Sequence, residues 1–587
     1  MAAHIKKIMP QYSGDRLSSE LHPVLERIYR NRGITSERQL QLGLQNLQSY
    51  DQLRGIQDAV RLLAQAVRNQ QSILIVGDFD ADGATSTALA LRALTKMGAQ
   101  NVNYLVPNRF EFGYGLTPEI VQLAIGYSPD LIVTVDNGIS SIQGVEAAKA
   151  AGIKVLVTDH HLPADELPMA DAIVNPNQPG DSSTSKAMAG VGVIFYVMLA
   201  LRAHLRETGW FTSQSLPDPN LAELLDLVAL GTVADVVPLD YNNRILVAQG
   251  LARIRGGCCC EGIKALIDVA GRNFQRLSAQ DLGFAIGPRI NAAGRLDDMS
   301  LGIECLTSND AVKAKRLAEQ LSQLNEERKT IEQDMQNQAL ELLSNLKLDQ
   351  LASGICLYRP DWHQGVIGIL ASRIKEKYHR PVIVFADAGQ DEATGEPLIK
   401  GSARSVNGVH MRDTLDAIAK HNPDLLSRFG GHAMAAGLTL KRNDFDAFAT
   451  AFDVFVVQQI DEDTLKQVIH SDGELASHEI DVPLAQLLEA GGPWGQHFPE
   501  PIFDGQFELV QRRIVAEKHL KLLLKLPGSS RLMDAIAFNC TDEHWSKDTH
   551  WVEMAYRLAI NEFRGIVSAQ LIVEHVEPLP IQEVAIF

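Results

Sequence analysis

Residues 77–83 read GDFDADG and bring three carboxylates, Asp78, Asp80 and Asp82, into seven positions. Like charges this close resist ionising together unless a cation lies among them. They follow directly on an apolar run, Ile73-Leu74-Ile75-Val76. Two more apolar runs end in the same way: VTVDNG carries Asp136, and VTDHH carries Asp159, His160 and His161. A fourth segment, LVALGTVADVVPL, offers Asp235 after a helical run. Carboxylates and imidazoles without thiols suit hard or borderline cations, Mn²⁺ or Mg²⁺. The carboxylates outnumber the needs of one octahedral ion, so two ions are expected. Two ions roughly 3.5–4 Å apart form a clamp for displacement at phosphorus. Any one aspartate after a strand is more often a cap or turn residue. The metal expectation rests on several such loops sharing one sheet edge.

A parallel sheet would provide that edge. Between residues 72 and 176, SILIVGD, VNYLVP, LIVTVD, KVLVTD and DAIVNP alternate with STALALRALTKMG, PEIVQLAIG and IQGVEAAKAAG. Strands alternating with helices predict a parallel sheet covered on both faces. The carboxyl ends of its strands then lie together, where ligands bind. Gly98 and Gly152 fall where helix C-caps belong. Residues 1–70 read as helical, with a capping box at Ser36 and Gln39. A mainly helical region runs to about 345. Its last part, NDAVKAKRLAEQLSQLNEERKTIEQDMQNQALELLSNL, predicts one long helix or two abutting helices. Residues 353–456 form a second α/β unit, with strands at GICLYRP and PVIVFAD and a helix at GVIGILASRIKEKY. From 468 onward, short alternating runs broken by turns predict a small all-β barrel of OB type. The expected units are 1–70, 71–305, 306–350, 351–457 and 468–580.

The 587 residues exceed what one core can hold. A net charge of -18 argues against coating nucleic acid through bulk charge, yet leaves room for a narrow basic channel. The opening MAAHIKKIMPQYSGDRLSSE lacks an apolar core of signal-peptide length, and no apolar run is long enough for a bilayer. A cytoplasmic protein is expected. Six cysteines without a CxxC pair fit reduced thiols. Donors for phosphate are Arg109 in PNRFEFGYG, and Arg289, Asn291 and Arg295 in GPRINAAGR. Arg373 in ASRI, Arg404 in SARS and His432 in GGHAMAAG join them. A lone arginine is ordinarily a surface ion pair; glycine-rich loops around several of these favour phosphate contact. Trp362 and His363 fit either a base contact or a core. Phe110, Phe112 and Tyr114 fit a packed loop or a stacking platform. Arg512, Arg513, Lys518, Lys521 and Lys525 fit a DNA-binding or a solvated face of the barrel.

GDFDADGATSTA, VTVDNGIS, VTDHHLP and GTVADVVPL resemble, in order, the four motifs of the DHH phosphoesterases. The likeness is closer to the RecJ family, bacterial single-strand-specific 5′→3′ DNA exonucleases. YLVPNRFEFGYGL, GPRINAAGRLDDMS, WHQGVIGILASRIKE and FGGHAMAAGL extend it over most of the chain. Pyrophosphatase members of the superfamily have a histidine about where Val76 stands; RecJ proteins resemble this chain instead, with the aspartate-rich GD(F/Y)DADG. The resemblance implies a DHH domain, a long connecting helix, a DHHA1-type α/β domain and a C-terminal OB-like barrel. It implies that Asp80 and Asp82 each bind a metal, that Asp136 bridges, and that His160 and Asp235 complete the second ion. Asp78 would be a ligand or its close neighbour, Asp159 would orient an imidazole, and His161 would face the scissile phosphate. Arg373, Arg404 and His432 would grip phosphates, some forming a pocket for the 5′ end. The implied activity releases 5′-mononucleotides from single-stranded DNA in recombination and repair. The implied protein is a monomer, with the single-stranded-DNA-binding protein as partner and no membrane. Two alternatives compete. A DHH phosphoesterase of short oligonucleotides or cyclic dinucleotides would not need the barrel. A silent single-strand-binding scaffold would not need every acidic motif intact.

Overall fold

The computed structural model describes residues 4–8, 16–108, 115–344, 352–391, 394–423, 425–426, 428–460, 468–542, 545–546 and 548–579. A short strand, β1 (His4–Lys7), precedes a first sheet of β2 (Ile73–Gly77), β3 (Val102–Leu105), β4 (Leu131–Val135), β5 (Lys154–Thr158) and β6 (Ala172–Val174). All its pairings are parallel, in the order β3-β2-β4-β5-β6. Alternate side chains enter two cores. Ile73, Ile75, Leu131 and Val133 join the helices Ile56–Arg68, Ala81–Lys96 and Gly190–Glu207. Leu74, Val76, Ile132 and Val155 join Ile120 and Val121 of helix Pro118–Ile125 and Val145 and Ala148 of helix Ile142–Ala150. Burial on both faces is why these strands read as continuous apolar runs. The strand order reverses between β2 and β4, and the loops leaving them diverge to open a crevice.

The 34-residue helix Ala311–Ser344 connects the first domain to the second as a single helix. Ala314, Leu317 and Leu321 belong to the first domain's core, whereas Met335, Ala339 and Leu343 belong to the second domain's. The second sheet contains β7 (Ile355–Tyr358), β8 (Val382–Gln390), β9 (Pro397–Arg404), β10 (Arg428–Gly431) and β11 (Ala435–Lys441), ordered β10-β11-β9-β8-β7. Only β7 and β8 are parallel, joined through helix Ile367–Tyr378; the other pairings are antiparallel. Trp362 is core here: it is buried, and its Nε1 donates to Gln338 Oε1 of the long helix at 2.7 Å.

A strand β12 (Val468–Ser471) leads to a closed barrel of β13 (Phe503–Val515), β14 (His519–Lys525), β15 (Leu532–Ala537), β16 (Trp551–Phe563) and β17 (Ile566–Pro578). Its interior, including Phe503, Leu522 and Val573, is continuous with the first domain's core. The second domain's cores are separate clusters. The barrel is therefore built onto the first domain, not onto the domain that precedes it in sequence.

The N-terminal stretch makes that attachment, and it is not wholly helical. β1 pairs in parallel with β12. Ser36 and Gln39 do form a capping box, on the 3₁₀ turn Glu37–Leu40. After helix Pro23–Asn31, Arg32 donates to both oxygens of Asp472, at 2.7 and 2.9 Å, with the side chains 3% and 1% exposed. Asn31 Nδ2 also reaches Asp472, and Arg32 Nε donates to Pro499 O. Such pairing is nonlocal, so helical periodicity cannot announce it. Removing one partner leaves a buried charge unmatched, which costs about 3–5 kcal/mol. Arg32→Ala should lower stability by that order in denaturant titrations of the metal-free protein. Arg61→Ala, which breaks an exposed pair with Asp58, should change it by less than about 1 kcal/mol.

Candidate metal centre

Each acidic loop leaves the same sheet edge and is fixed by backbone hydrogen bonds. Asp80 caps helix Ala81–Lys96, its Oδ1 accepting from the amides of Asp82 and Gly83. Asp78 accepts from the Phe79 amide at 2.7 Å. Asp82 turns inward, and its two oxygens accept from the amides of Gly190 and Val191 at 2.7 and 2.9 Å. Those amides open helix Gly190–Glu207, whose positive dipole end favours an anion. Gly190 is required there, because a Cβ would lie 2.6 Å from Asp136 Oδ1. Asp136 itself holds a left-handed φ of 63°. Beside it, Asn137 Nδ2 donates to Val76 O and Val135 O, joining β2 to β4 at the switch point.

Asp159 organises the two histidines. Its Oδ1 accepts from the His160 and His161 amides and is hydrogen-bonded to His161 Nδ1 at 2.7 Å; its Oδ2 accepts from the Ile139 amide. Asn175 and Asn177 brace the carbonyls of His161 and His160. Asp235 ends helix Leu225–Ala234, and Val236 then adopts a left-handed φ of 61°. Sequence reading passed over Asn137, Asn175 and Asn177. Their signal was an amide side chain just after a strand, in VTVDNG and DAIVNPN.

These loops bring together every acid and imidazole singled out from the sequence. Ligand atoms of Asp78, Asp80 and Asp136 lie within 4.8 Å of one another, as do those of Asp82, His160 and Asp235, and those of Asp136, His160 and His161. His160 Nε2 stands 3.1 Å from Asp136 Oδ1 and 3.4 Å from Asp235 Oδ2. That nitrogen is buried and makes no hydrogen bond among the described residues, while the ring is hydrogen-bonded to the Met188 backbone. Burial, then the Asp80 charge, pushes the Asp82 carboxyl up to about 7. Burial and the Asp82 charge raise Asp136 and Asp235 well above the usual range. Burial, then the His161 charge, depresses His160 to about 4, so its ring is neutral at pH 7. His161 rises to about 9: burial opposes its charge, but the hydrogen bond and charge of Asp159 prevail. Neutral imidazole and crowded carboxylate lone pairs pointing at common centres fit divalent cations.

The phosphate-donor candidates separate into groups. Arg404 is largely buried, and donates to Ser402 Oγ and Ala403 O. Among the described residues no carboxylate pairs with it, and burial lowers its pKa. His432 lies one register step away, its amide donating to Ala435 O opposite Arg404. Burial, followed by the His161 charge, lowers the His432 pKa. Arg373 instead pairs with Glu332 and Glu376. Arg289 donates to Ala285 O and to Ser322 Oγ on the long helix. Asn291 accepts from the Ala81 amide and holds the first acidic loop, while Arg295 donates to Gly365 O of the second domain. Asn291, Arg295, Arg328 and Arg373 line a cavity of about 490 Å³ between the domains. Arg109, Phe110, Phe112 and Tyr114 lie outside the described residues. On the barrel, Arg512, Lys521 and Lys525 pair with Asp542, Asp534 and Glu508, whereas Arg513 and Lys518 are exposed.

Residues 72–232 match the DHH family, N-terminal domain, residues 351–458 the DHHA1 domain, and residues 471–575 the RecJ OB domain. The chain is 54% identical over 566 residues to the single-stranded-DNA-specific exonuclease RecJ of Dickeya dadantii (strain 3937), covering 96% of this chain and 97% of that one. It is 52% identical, over the same shares, to the protein of that name from Escherichia coli (strain K12). The crystal structure of RecJ in complex with Mn²⁺ from Thermus thermophilus superposes with a TM-score of 0.79 at 29% identity, over 98% of this chain and 79% of that one. Identity sustained along nearly the whole length, with the three domains in one order, shows that the chain belongs to the RecJ family of DHH proteins.

Proposed function

We propose that this protein is a metal-dependent exonuclease that degrades single-stranded DNA from its 5′ end and releases 5′-mononucleotides. The observation that carries the reading is the convergence of buried aspartates on a His160 Nε2 that makes no hydrogen bond among the described residues. Asp78, Asp80 and Asp136 form one ion position, and Asp82, His160 and Asp235 the other, with Asp136 between them. The Thermus relatives crystallised with Mn²⁺ and with Mg²⁺ support both ions as cofactors. When bound, the ions neutralise phosphate charge and lower the pKa of a bound water. The chain's own residues do the rest. Asp159 holds the His161 ring by Nδ1 and stabilises its positive charge, so that Nε2 donates to an oxygen of the scissile phosphate. Arg404 and His432, across the cleft, bind the 5′ phosphate and set polarity. The barrel, matching the RecJ OB domain, holds the strand that follows, with Arg513 and Lys518 toward the backbone. The same reading makes the protein a cytoplasmic monomer acting in recombination and repair beside the single-stranded-DNA-binding protein.

A 3′-labelled single-stranded oligonucleotide should shorten stepwise from its 5′ end only when Mn²⁺ or Mg²⁺ is present. Asp136→Ala should abolish this, and blunt duplex should remain intact. Cleavage that begins internally, or without metal, would remove the reading. Arg404→Ala should raise KM for a 5′-phosphorylated strand about 30-fold, the equivalent of about 2 kcal/mol for hydrogen bonds to a charged group. It should affect a 5′-hydroxyl strand far less.

The metal-free site also makes a stability prediction. Asp82, Asp136 and Asp235 titrate higher when folded than unfolded. The fold therefore binds more protons than the unfolded chain from about pH 4 upward, to about 7 for Asp82, and metal-free stability falls as pH rises through the raised values. Asp136→Asn should raise the metal-free Tm at pH 8 by roughly 4 °C or more, for about 2 kcal/mol of relieved repulsion. Mn²⁺ should stabilise the native sequence, more at pH 8 than at pH 6, and leave Asp136→Asn nearly unchanged in thermal melts.

A further inference from the structure

Asp235 is badly placed by its own helix. It sits at the C-terminal end of Leu225–Ala234, where the helix dipole repels a carboxylate. It also faces Asp82 across the second ion position. The chain then reverses at Val236, which is exposed and left-handed. Something outside this helix must hold the segment in place.

The holding group comes from the barrel. Leu239, four residues after Asp235, donates its amide to Gln496 O at 2.8 Å. Gln496 lies in a tight turn, Gly495 to Phe498, closed by paired backbone hydrogen bonds. Leu239 packs so closely on this turn that a Cβ on Gly495 would stand 2.7 Å from Leu239 Cδ1. The turn is itself rigid. Trp494 and Phe498 stack at 5.3 Å, and Tyr29 stacks on both. Arg244, from the helix Tyr241–Arg255 that follows Asp235, lies 4.4 Å over Phe498. Arg32 lies 5.3 Å over Trp494, and Trp494 Nε1 donates to Leu488 O. Leu488 belongs to helix Val482–Ala490, which packs on β16 and β17 of the barrel.

We propose that the Trp494–Phe498 turn is a positioning element for Asp235, through which the barrel sets occupancy of the ion position formed by Asp82, His160 and Asp235. The inference rests on the two-ion reading above. Trp494 and Gly495 touch neither ion nor substrate; they act through Leu239 on the ligand four residues earlier. Outer partners of metal ligands commonly change affinity by about 10–100-fold.

The test is Mn²⁺ binding to the full chain, followed by the electron paramagnetic resonance signal of free Mn²⁺, with a thermal melt of each variant. The native sequence should bind two ions. Trp494→Ala should weaken one of the two ions, that of the Asp235 position, about tenfold and leave the other unchanged, and Trp494→Phe should restore most of that loss. Gly495→Val, which adds bulk against Leu239, should weaken the same ion and serves where Trp494→Ala does not fold. Leu571→Ala, a cavity in the barrel core that removes none of the turn's own contacts named above, should lower the Tm without moving either binding constant. The inference is overturned if Trp494→Ala and Gly495→Val bind both ions with native affinity, or if Leu571→Ala weakens the second ion equally. A native sequence that binds no Mn²⁺ overturns the metal reading and this inference together.

Discussion

The repulsion among buried carboxylates is the constraint that the catalytic half of the molecule is arranged around. Aspartates from several loops reach one sheet edge, and burial, then their mutual repulsion, raises Asp82 to about 7 and Asp136 and Asp235 well above the usual carboxylate range. The fold meets part of this cost with backbone dipoles. Amides at two helix starts bind Asp80 and Asp82, and the Ile139 amide binds Asp159. It meets the rest by leaving donor atoms converging on common points, which cations can occupy. The left-handed backbone at Asp136 is local strain of the kind that collects at functional sites.

The same constraint explains why the barrel is joined to the first domain. A carboxylate at a helix C-terminus, facing another carboxylate, needs external support. That support is supplied by a turn continuous with the barrel's core and locked by the N-terminal segment through Arg32 and Asp472. The second domain carries its own cores and is attached through one long helix and contacts such as Arg295 to Gly365. Its coupling to the acidic loops is therefore looser than the barrel's. A domain that must admit and release a strand can move at lower cost than one that fixes a ligand.

The first sheet and its acidic edge were readable in the sequence because both follow local rules. Apolar runs buried on two faces mark parallel strands, and their carboxyl ends share an edge, so Asp78, Asp136 and His160 could be placed together from sequence alone. The long helix was readable from its period. The pairing of β1 with β12, and the Arg32–Asp472 pair, were not, because residues more than four hundred positions apart leave no periodic trace. Trp362 was ambiguous for a different reason: its partner, Gln338, lies on the connecting helix, outside the local run. Arg289, Asn291 and Arg295 share a glycine-rich segment that reads like a phosphate loop. In the structure it is helical over Gly287–Leu296: Arg289 reaches Ala285 O and Ser322 Oγ, Asn291 accepts from the Ala81 amide, and Arg295 donates to Gly365 O, while Asn291 and Arg295 also line the cavity between the domains. Composition cannot distinguish a donor aimed at substrate from one aimed at a carbonyl.

Burial without a counter-charge separates arginines that composition leaves alike. Arg373 and Arg404 look alike in sequence, each an arginine among small residues. In the fold Arg373 is matched by two glutamates, and its pKa is raised, first by the Glu332 hydrogen bond. Arg404 is more deeply buried, with neutral partners only among the described residues, and its pKa is lowered by burial. A desolvated guanidinium of this kind costs stability until an anion reaches it. It is the mirror image of the aspartate cluster, which costs stability until cations reach it. The two deficits sit on different domains, Arg404 on β9 of the second sheet and the aspartates at the edge of the first. An anion would relieve the first deficit and cations the second, so the ligand that meets one deficit does not meet the other.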